Sequence, residues 1–305
     1  MRLVFFGTPD AAVSALRALH AAGHDIVCVV TQPDRRRGRG AEPTPSPVKV
    51  AAGELGLPVL TPERSREVLD DVAGSGAELG VVVAFGQILP ESLLGALPYG
   101  FVNVHFSLLP RWRGAAPVER ALLAGDTETG VCIMALDAGL DTGPVYARAV
   151  VPIGGHETAG ELRAKLVAQG TELLVATLPS VPHRRPEPQV GEATYADKLT
   201  AEEFELDWDL PATDLARMVR AGNPRPGAWT DDHGKRLKVW RARALSASID
   251  QPPGTVFAHT RVATGEGALE LVEVQPEGKR VMAANAWLAG RREATPLLGP
   301  LRSSS

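Results

Sequence analysis

The chain has 305 residues, 44% hydrophobic and 22% charged, with a formal net charge of -4. That length suits two domains of ordinary size, and the balance excludes disordered and fibrous classes. Two cysteines and seven scattered histidines leave no close Cys/His cluster for a structural zinc, and no run nears the roughly 20 apolar residues that span a bilayer.

Residues 3–6, 26–30, 79–84 and 101–105 are rich in Val, Ile and Phe and are expected as buried strands. Residues 11–22 and 48–55 carry apolar positions at helical spacing, the first opened by Asp10 and stopped by Gly23. Strand and helix in alternation predict an α/β domain with an open, mainly parallel, Rossmann-like sheet. Residues 131–136 and 145–151 add strands, and 158–178 one long helix. The prolines at 179, 182, 186 and 188 mark an extended connection. Beyond it, a short helix at 213–221 precedes strands at 235–244, 254–257, 261–264 and 268–274, as in a small β-barrel of OB-fold size. The expected boundaries are 1–180 for the first domain, 181–204 for the linker and 205–302 for the second domain.

Cys28 and Cys132 lie in apolar runs and read as buried thiols of a reducing compartment, not a disulfide. The run after Arg2 is cut by Gly7-Thr8-Pro9-Asp10 too early for a signal peptide, so a cytoplasmic protein is expected. Charge is uneven along the chain: residues 1–204 carry 18 basic and 24 acidic side chains, residues 205–305 carry 14 and 12. Arg35, Arg36, Arg37 and Arg39 crowd into five positions, so a polyanion would be met locally. On composition, that run reads equally as a solvated charge cluster.

The stretch Asn103-Val104-His105-Phe106-Ser107-Leu108-Leu109-Pro110-Arg111-Trp112-Arg113-Gly114, answered by Leu140-Asp141-Thr142-Gly143, carries the chemistry. Asn103 and His105 are two apart on a strand and so share a face. Pro110 cannot continue a central strand, which puts the pair near a carboxyl end, where open α/β sheets gather ligands. An amide, an imidazole and a carboxylate suit acyl transfer, which needs a donor for a tetrahedral oxyanion and a route for the amine proton. Taken singly, Asn103 and Asp141 also suit turns and His105 a satisfied core position. Gly7-Thr8-Pro9 lacks the glycines of a dinucleotide loop, and Pro9 removes a donor from it, so NAD is excluded.

These segments come with others in a fixed order: Phe6-Gly7-Thr8-Pro9-Asp10, Thr31-Gln32-Pro33-Asp34-Arg35, Gly38-Arg39-Gly40, Pro45-Ser46-Pro47-Val48-Lys49, Tyr195-Ala196-Asp197-Lys198-Leu199 and Gly222-Asn223-Pro224. Together with residues 103–117 and 136–143 they span nearly the whole chain, which resembles the folate-dependent formyltransferases. The resemblance implies a formyltransferase catalytic domain followed by an OB-like barrel that contacts tRNA. It implies Asn103, His105 and Asp141 as catalytic residues, with no metal. It implies that Ser107, Leu108, Leu109 and Pro110, with Phe85, Gly86, Gln87 and Ile88, line the site of 10-formyltetrahydrofolate, the formyl donor. The acceptor it implies is methionyl-initiator tRNA, met by Arg35, Arg36, Arg37 and Arg39, with Arg39 inside the Gly-Arg-Gly segment of most weight.

Arg36-Arg37 departs from the family's Pro-Ala-like spacer, and Arg225 stands where many relatives carry an aromatic residue, so no contact is carried over to Arg225. Lys235, Arg236, Lys238, Arg241 and Arg243 make a face that suits either a nucleic-acid backbone or ordinary strand polarity. The competing expectations are a small-amine formyltransferase, a hydrolase of formyltetrahydrofolate, and a tRNA-binding module without turnover. A monomer is expected.

Overall fold

Seven strands form the first sheet: Arg2–Gly7 (β1), Asp25–Val30 (β2), Val59–Leu60 (β3), Leu79–Val83 (β4), Phe101–His105 (β5), Glu128–Ala135 (β6) and Val145–Pro152 (β7). The computed structural model describes residues 1–36, 42–291 and 296–299. The strand order is β7-β6-β5-β4-β1-β2-β3. β1 to β5 pair in parallel, while β6 and β7 are antiparallel additions. All five residues of β4 are buried, as expected of a parallel strand covered on both faces. The chain leaves β1 toward β2 and β3, then returns to β4 on the other side of β1. That reversal opens a crevice at the carboxyl ends of β1 and β4, the usual ligand position of such sheets.

The flanking helices follow local signals. Asp10–Ala21 buries Ala12, Ala15, Leu16 and Leu19, and Gly23 follows it at a left-handed φ of 78°, the role glycine fills after a helix end. Pro47–Glu54 begins where the Ser46 hydroxyl accepts from the Lys49 N–H at 3.0 Å, with Pro47 at its first position. Ala159–Thr177 starts with a reciprocal cap: Thr158 N–H donates to Glu161 at 2.8 Å, and Glu161 N–H to the Thr158 hydroxyl at 3.3 Å. Phe6 packs edge-on against Phe85 and Phe101, with centroids 5.3 and 5.6 Å away, beneath the crevice.

The chain divides into two compact units, Met1–Pro117, Glu128–Pro152 and Arg163–Ala196 in one, Val118–Thr127, Ile153–Leu162 and Asp197–Ser305 in the other. The second holds an antiparallel sheet of six strands: Ala228–Asp232 (β8), Lys235–Leu245 (β9), Val256–Phe257 (β10), Arg261–Ala263 (β11), Ala268–Pro276 (β12) and Met282–Ala283 (β13). Their order is β8-β9-β12-β11-β10, with β13 on β12. Leu215 and Val219 of the helix Ala212–Gly222 pack onto it with Leu206, Trp208, Leu237, Val239 and Trp287. As expected from sequence, a smaller antiparallel β domain follows the first sheet, and its pairings, among the described residues, run as an open path. Among the described residues, no helix is long and apolar enough to cross a membrane.

Candidate active site

β5 carries Asn103 and His105 to the carboxyl end of the parallel strands. Asn103 lies opposite Val82 on one side and Met134 on the other, and His105 opposite Cys132. His105 is 5% exposed, and Asn103 is half-buried. Among the described residues, nothing hydrogen-bonds the side-chain amide of Asn103.

The turn after β5 is built to aim one carbonyl. Ser107 is fully buried, and its hydroxyl donates to the Arg111 carbonyl at 2.5 Å. Leu109 packs into a core cluster with Cys132, Met134 and Val145, and the Leu109–Pro110 bond is cis. Trp112 then takes a left-handed φ of 62°, and its carbonyl lies 2.9 Å from His105 Nε2. A carbonyl only accepts, so this contact puts a hydrogen on Nε2. The other ring nitrogen, Nδ1, stands 3.5 Å from Asp141 Oδ2, which itself accepts from the Gly114 N–H at 2.8 Å.

Asp141 also sits at positive φ, 51°, a region Asp tolerates better than most residues. Its loop turns on Asp137, whose carboxylate accepts from the Gly139 N–H at 3.1 Å and the Thr142 hydroxyl at 2.7 Å. Gly143 closes the loop against β6: a Cβ there would stand 1.9 Å from the Ala135 carbonyl oxygen.

Asn103, His105 and Asp141 are thus gathered by one strand and two loops. The expected folate-lining segments divide between packing and availability. Ser107 and Leu109 spend their side chains inside, while Leu108 and Pro110 stay partly exposed. Phe85 is buried, and its carbonyl accepts from the Thr8 hydroxyl and the Gln32 amide, both at 2.9 Å, tying together the loops after β1, β2 and β4. Gln87 accepts from the Ser65 N–H at 2.7 Å, and Ile88 is 85% exposed. Among the described residues, nothing occupies the backbone N–H groups of Gly86, Gln87 and Ile88. Three adjacent backbone donors without a partner among the described residues suit a flat, heteroatom-edged ring.

Two contributors were invisible in sequence. Gln189 and Thr194 lie in the proline-rich stretch expected as a linker, which is tied to the first unit as far as Ala196. Glu187 and Val145 exchange backbone hydrogen bonds at 2.7 and 2.9 Å, and Tyr195–Ala196 pairs with Arg113–Gly114. The Thr194 hydroxyl accepts from the Trp112 N–H at 2.9 Å, and Gln189 reaches the Asp141 loop.

Of the basic loop, Arg35 and Arg36 are exposed on a two-residue ribbon with Pro43–Thr44, while Arg37 and Arg39 lie outside the described residues. In the second unit the basic face of β9 is divided. Arg236 stacks 3.9 Å over Trp229, and Lys238 lies 5.3 Å from Trp240. Arg241 pairs with Glu161 and Glu273, and Arg243 with Glu270.

A formyl transferase family model matches residues 1–178, and a formyl transferase C-terminal domain model matches residues 198–292. The chain is 51% identical over 295 residues to the methionyl-tRNA formyltransferase of Roseobacter denitrificans, covering 95% of this chain and 96% of that one. It is 50% identical over 296 residues to the methionyl-tRNA formyltransferase of Paracoccus denitrificans, covering 95% and 97%. Among solved structures it is similar in fold to HypX from Aquifex aeolicus in complex with tetrahydrofolic acid, with a TM-score of 0.63 at 16% identity over 95% of this chain. The match takes in 47% of HypX, so the chain spans about half of that protein's length. Matched in order through both units and sharing half its residues with enzymes of one kind, the chain belongs to the formyl transferase family.

Proposed function

We propose that the chain is a methionyl-tRNA formyltransferase, moving the formyl group of 10-formyltetrahydrofolate to the α-amine of methionine esterified to initiator tRNA. The observation that carries this reading is an unengaged Asn103 amide beside the His105–Asp141 pair, in a chain half identical to enzymes of that name. The amine nitrogen attacks the formyl carbon, forming the C–N bond and moving an electron pair onto the formyl oxygen. The Asn103 amide donates to that oxygen. The His105 ring, held between the Trp112 carbonyl and Asp141, stands beside that oxygen and orders the site around it. Asp141 accepts the amine proton through a water, and the proton returns to N10 of tetrahydrofolate as the old C–N bond breaks.

The free N–H groups of Gly86, Gln87 and Ile88 support a pterin at the crevice, with Leu108 and Pro110 along its edge. Arg35, Arg36, Arg37 and Arg39 act on the acceptor end of the tRNA, where guanidinium groups suit phosphate. The enzyme works as a cytoplasmic monomer in translation initiation.

The test is formyl transfer from 10-formyltetrahydrofolate to methionyl-initiator tRNA beside methionyl-elongator tRNA. Strong preference for the initiator is expected. Transfer only to small amines, or formate release without formylmethionyl-tRNA, would overturn the reading. Arg39→Ala should raise the KM for tRNA with folate affinity unchanged.

A further inference from the structure

The geometry points to Gln189 as the positioning residue that holds Asp141 in its working orientation; this rests on the role proposed for Asp141. Gln189 Nε2 donates to the carbonyls of Asp141 and Gly143, both at 2.8 Å. Its Oε1 accepts from Arg113 Nε at 3.1 Å and Nη2 at 2.7 Å. Both amide hydrogens and the amide oxygen are therefore spent on the site, although Gln189 is only half-buried and its neighbour Val190 is 85% exposed.

The contacts close a ring. Gln189 holds the Asp141 backbone and Arg113; the residue after Arg113 is Gly114, whose N–H holds the Asp141 carboxylate at 2.8 Å. One side chain thus fixes both the acid and the group that aims it. The need is physical: Asp141 lies at φ 51° in a loop that belongs to no strand or helix, so its peptide orientation requires outside support. A carboxylate displaced by about 1 Å can cost ~10²-fold in rate. The two backbone hydrogen bonds between Glu187 and Val145 bring Gln189 to this place.

The experiment compares Gln189→Ala, Gln189→Glu, Asp141→Asn and the double variant Gln189→Ala/Asp141→Asn in the full chain. It reads kcat, the KM for methionyl-tRNA, tetrahydrofolate binding and Tm. Gln189→Glu keeps the shape and the acceptor for Arg113 but loses both donors. Each Gln189 variant should lower kcat about ten- to a hundredfold, with folate binding and KM within about threefold of wild type. In the Asp141→Asn background, the Gln189 change should cost little more, because both act through one carboxylate. Wild-type kcat in Gln189→Glu, or an undiminished loss in the double variant, would overturn the inference while leaving Asp141 its role. Wild-type turnover in Asp141→Asn would instead overturn the reading beneath it, and the inference with it.

Discussion

The imidazole of His105 is held between the Trp112 carbonyl, 2.9 Å from Nε2, and the Asp141 carboxylate, 3.5 Å from Nδ1. Both ring nitrogens face acceptors of the protein, so neither is turned toward an incoming amine as a base. Proton transfer is left to Asp141.

Asp141→Asn isolates that charge. Asn tolerates the left-handed backbone of position 141 and still accepts from the Gly114 N–H, whereas Ala there adds about 1–2 kcal/mol of backbone cost. Asp141→Asn should therefore melt near wild type and lose about 10²-fold or more in kcat. Asp141→Ala should lose activity and also several degrees of Tm. Single-turnover formyl transfer and a thermal melt check both.

Asn103→Ala should act on rate alone. Its amide engages no described residue, so truncation breaks no hydrogen bond among them, while loss of one oxyanion donor costs roughly 10²–10³ in kcat. A kcat within threefold of wild type would remove Asn103 from the mechanism. A large fall in Tm would instead mark it as structural.

Gly86→Ala tests the donor crevice. Gly86 has a φ of 82°, and a Cβ there would stand 2.6 Å from the Gln32 amide nitrogen, which donates to the Phe85 carbonyl. The variant should lose about 1–2 kcal/mol from the left-handed backbone and bind tetrahydrofolate more weakly, because the N–H groups of residues 86–88 move together. Unchanged folate affinity with a lowered Tm would move the pterin away from this loop.

The parts read correctly from sequence are those whose cause is local. Phe101–His105 is a strand because an apolar run ends at Pro110, and Ser46-Pro47 starts a helix through its own cap. The parts missed are made by distant partners. Gln189 meets Asp141 across 48 positions, and proline content at 179–188 announces an extended chain without saying what that chain pairs with. Ala228–Asp232 is a strand ending in two acids, which only its partner Lys235–Leu245 explains. The Asn103, His105 and Asp141 cluster was legible through its ordered motifs, whereas the Trp112 carbonyl carries no side-chain signal at all.

Cys132 is buried as expected, whereas Cys28 is only half-buried, and both should be slow to react in the native state. Burial, with Asp71 nearby, pushes the Cys28 thiol up to about 11, and burial also raises Cys132. At pH 8 only about a thousandth of Cys28 is thiolate, the reactive form. A thiol-reactive disulfide dye should react slowly with native protein and promptly with both thiols in guanidinium. Fast native labelling of Cys28 would mean that its strand opens far more readily than its packing implies.

Glu161 gives the second unit a pH signature. The Thr158 N–H, then Arg241, lower its carboxyl to about 2, against roughly 4.3 in an unfolded chain. A depressed folded value means that the stabilisation is complete above the unfolded value and is lost as pH falls toward about 2. About half of the side chain remains in water, which screens the pair and keeps the effect small. Glu161→Gln keeps the acceptor for Thr158 and removes only the charge. Urea midpoints of wild type and Glu161→Gln should differ by a constant amount above about pH 5 and converge as pH falls from 4 toward 2. A gap that holds or widens over that range would mean that the cap, not the charge, carries the contribution.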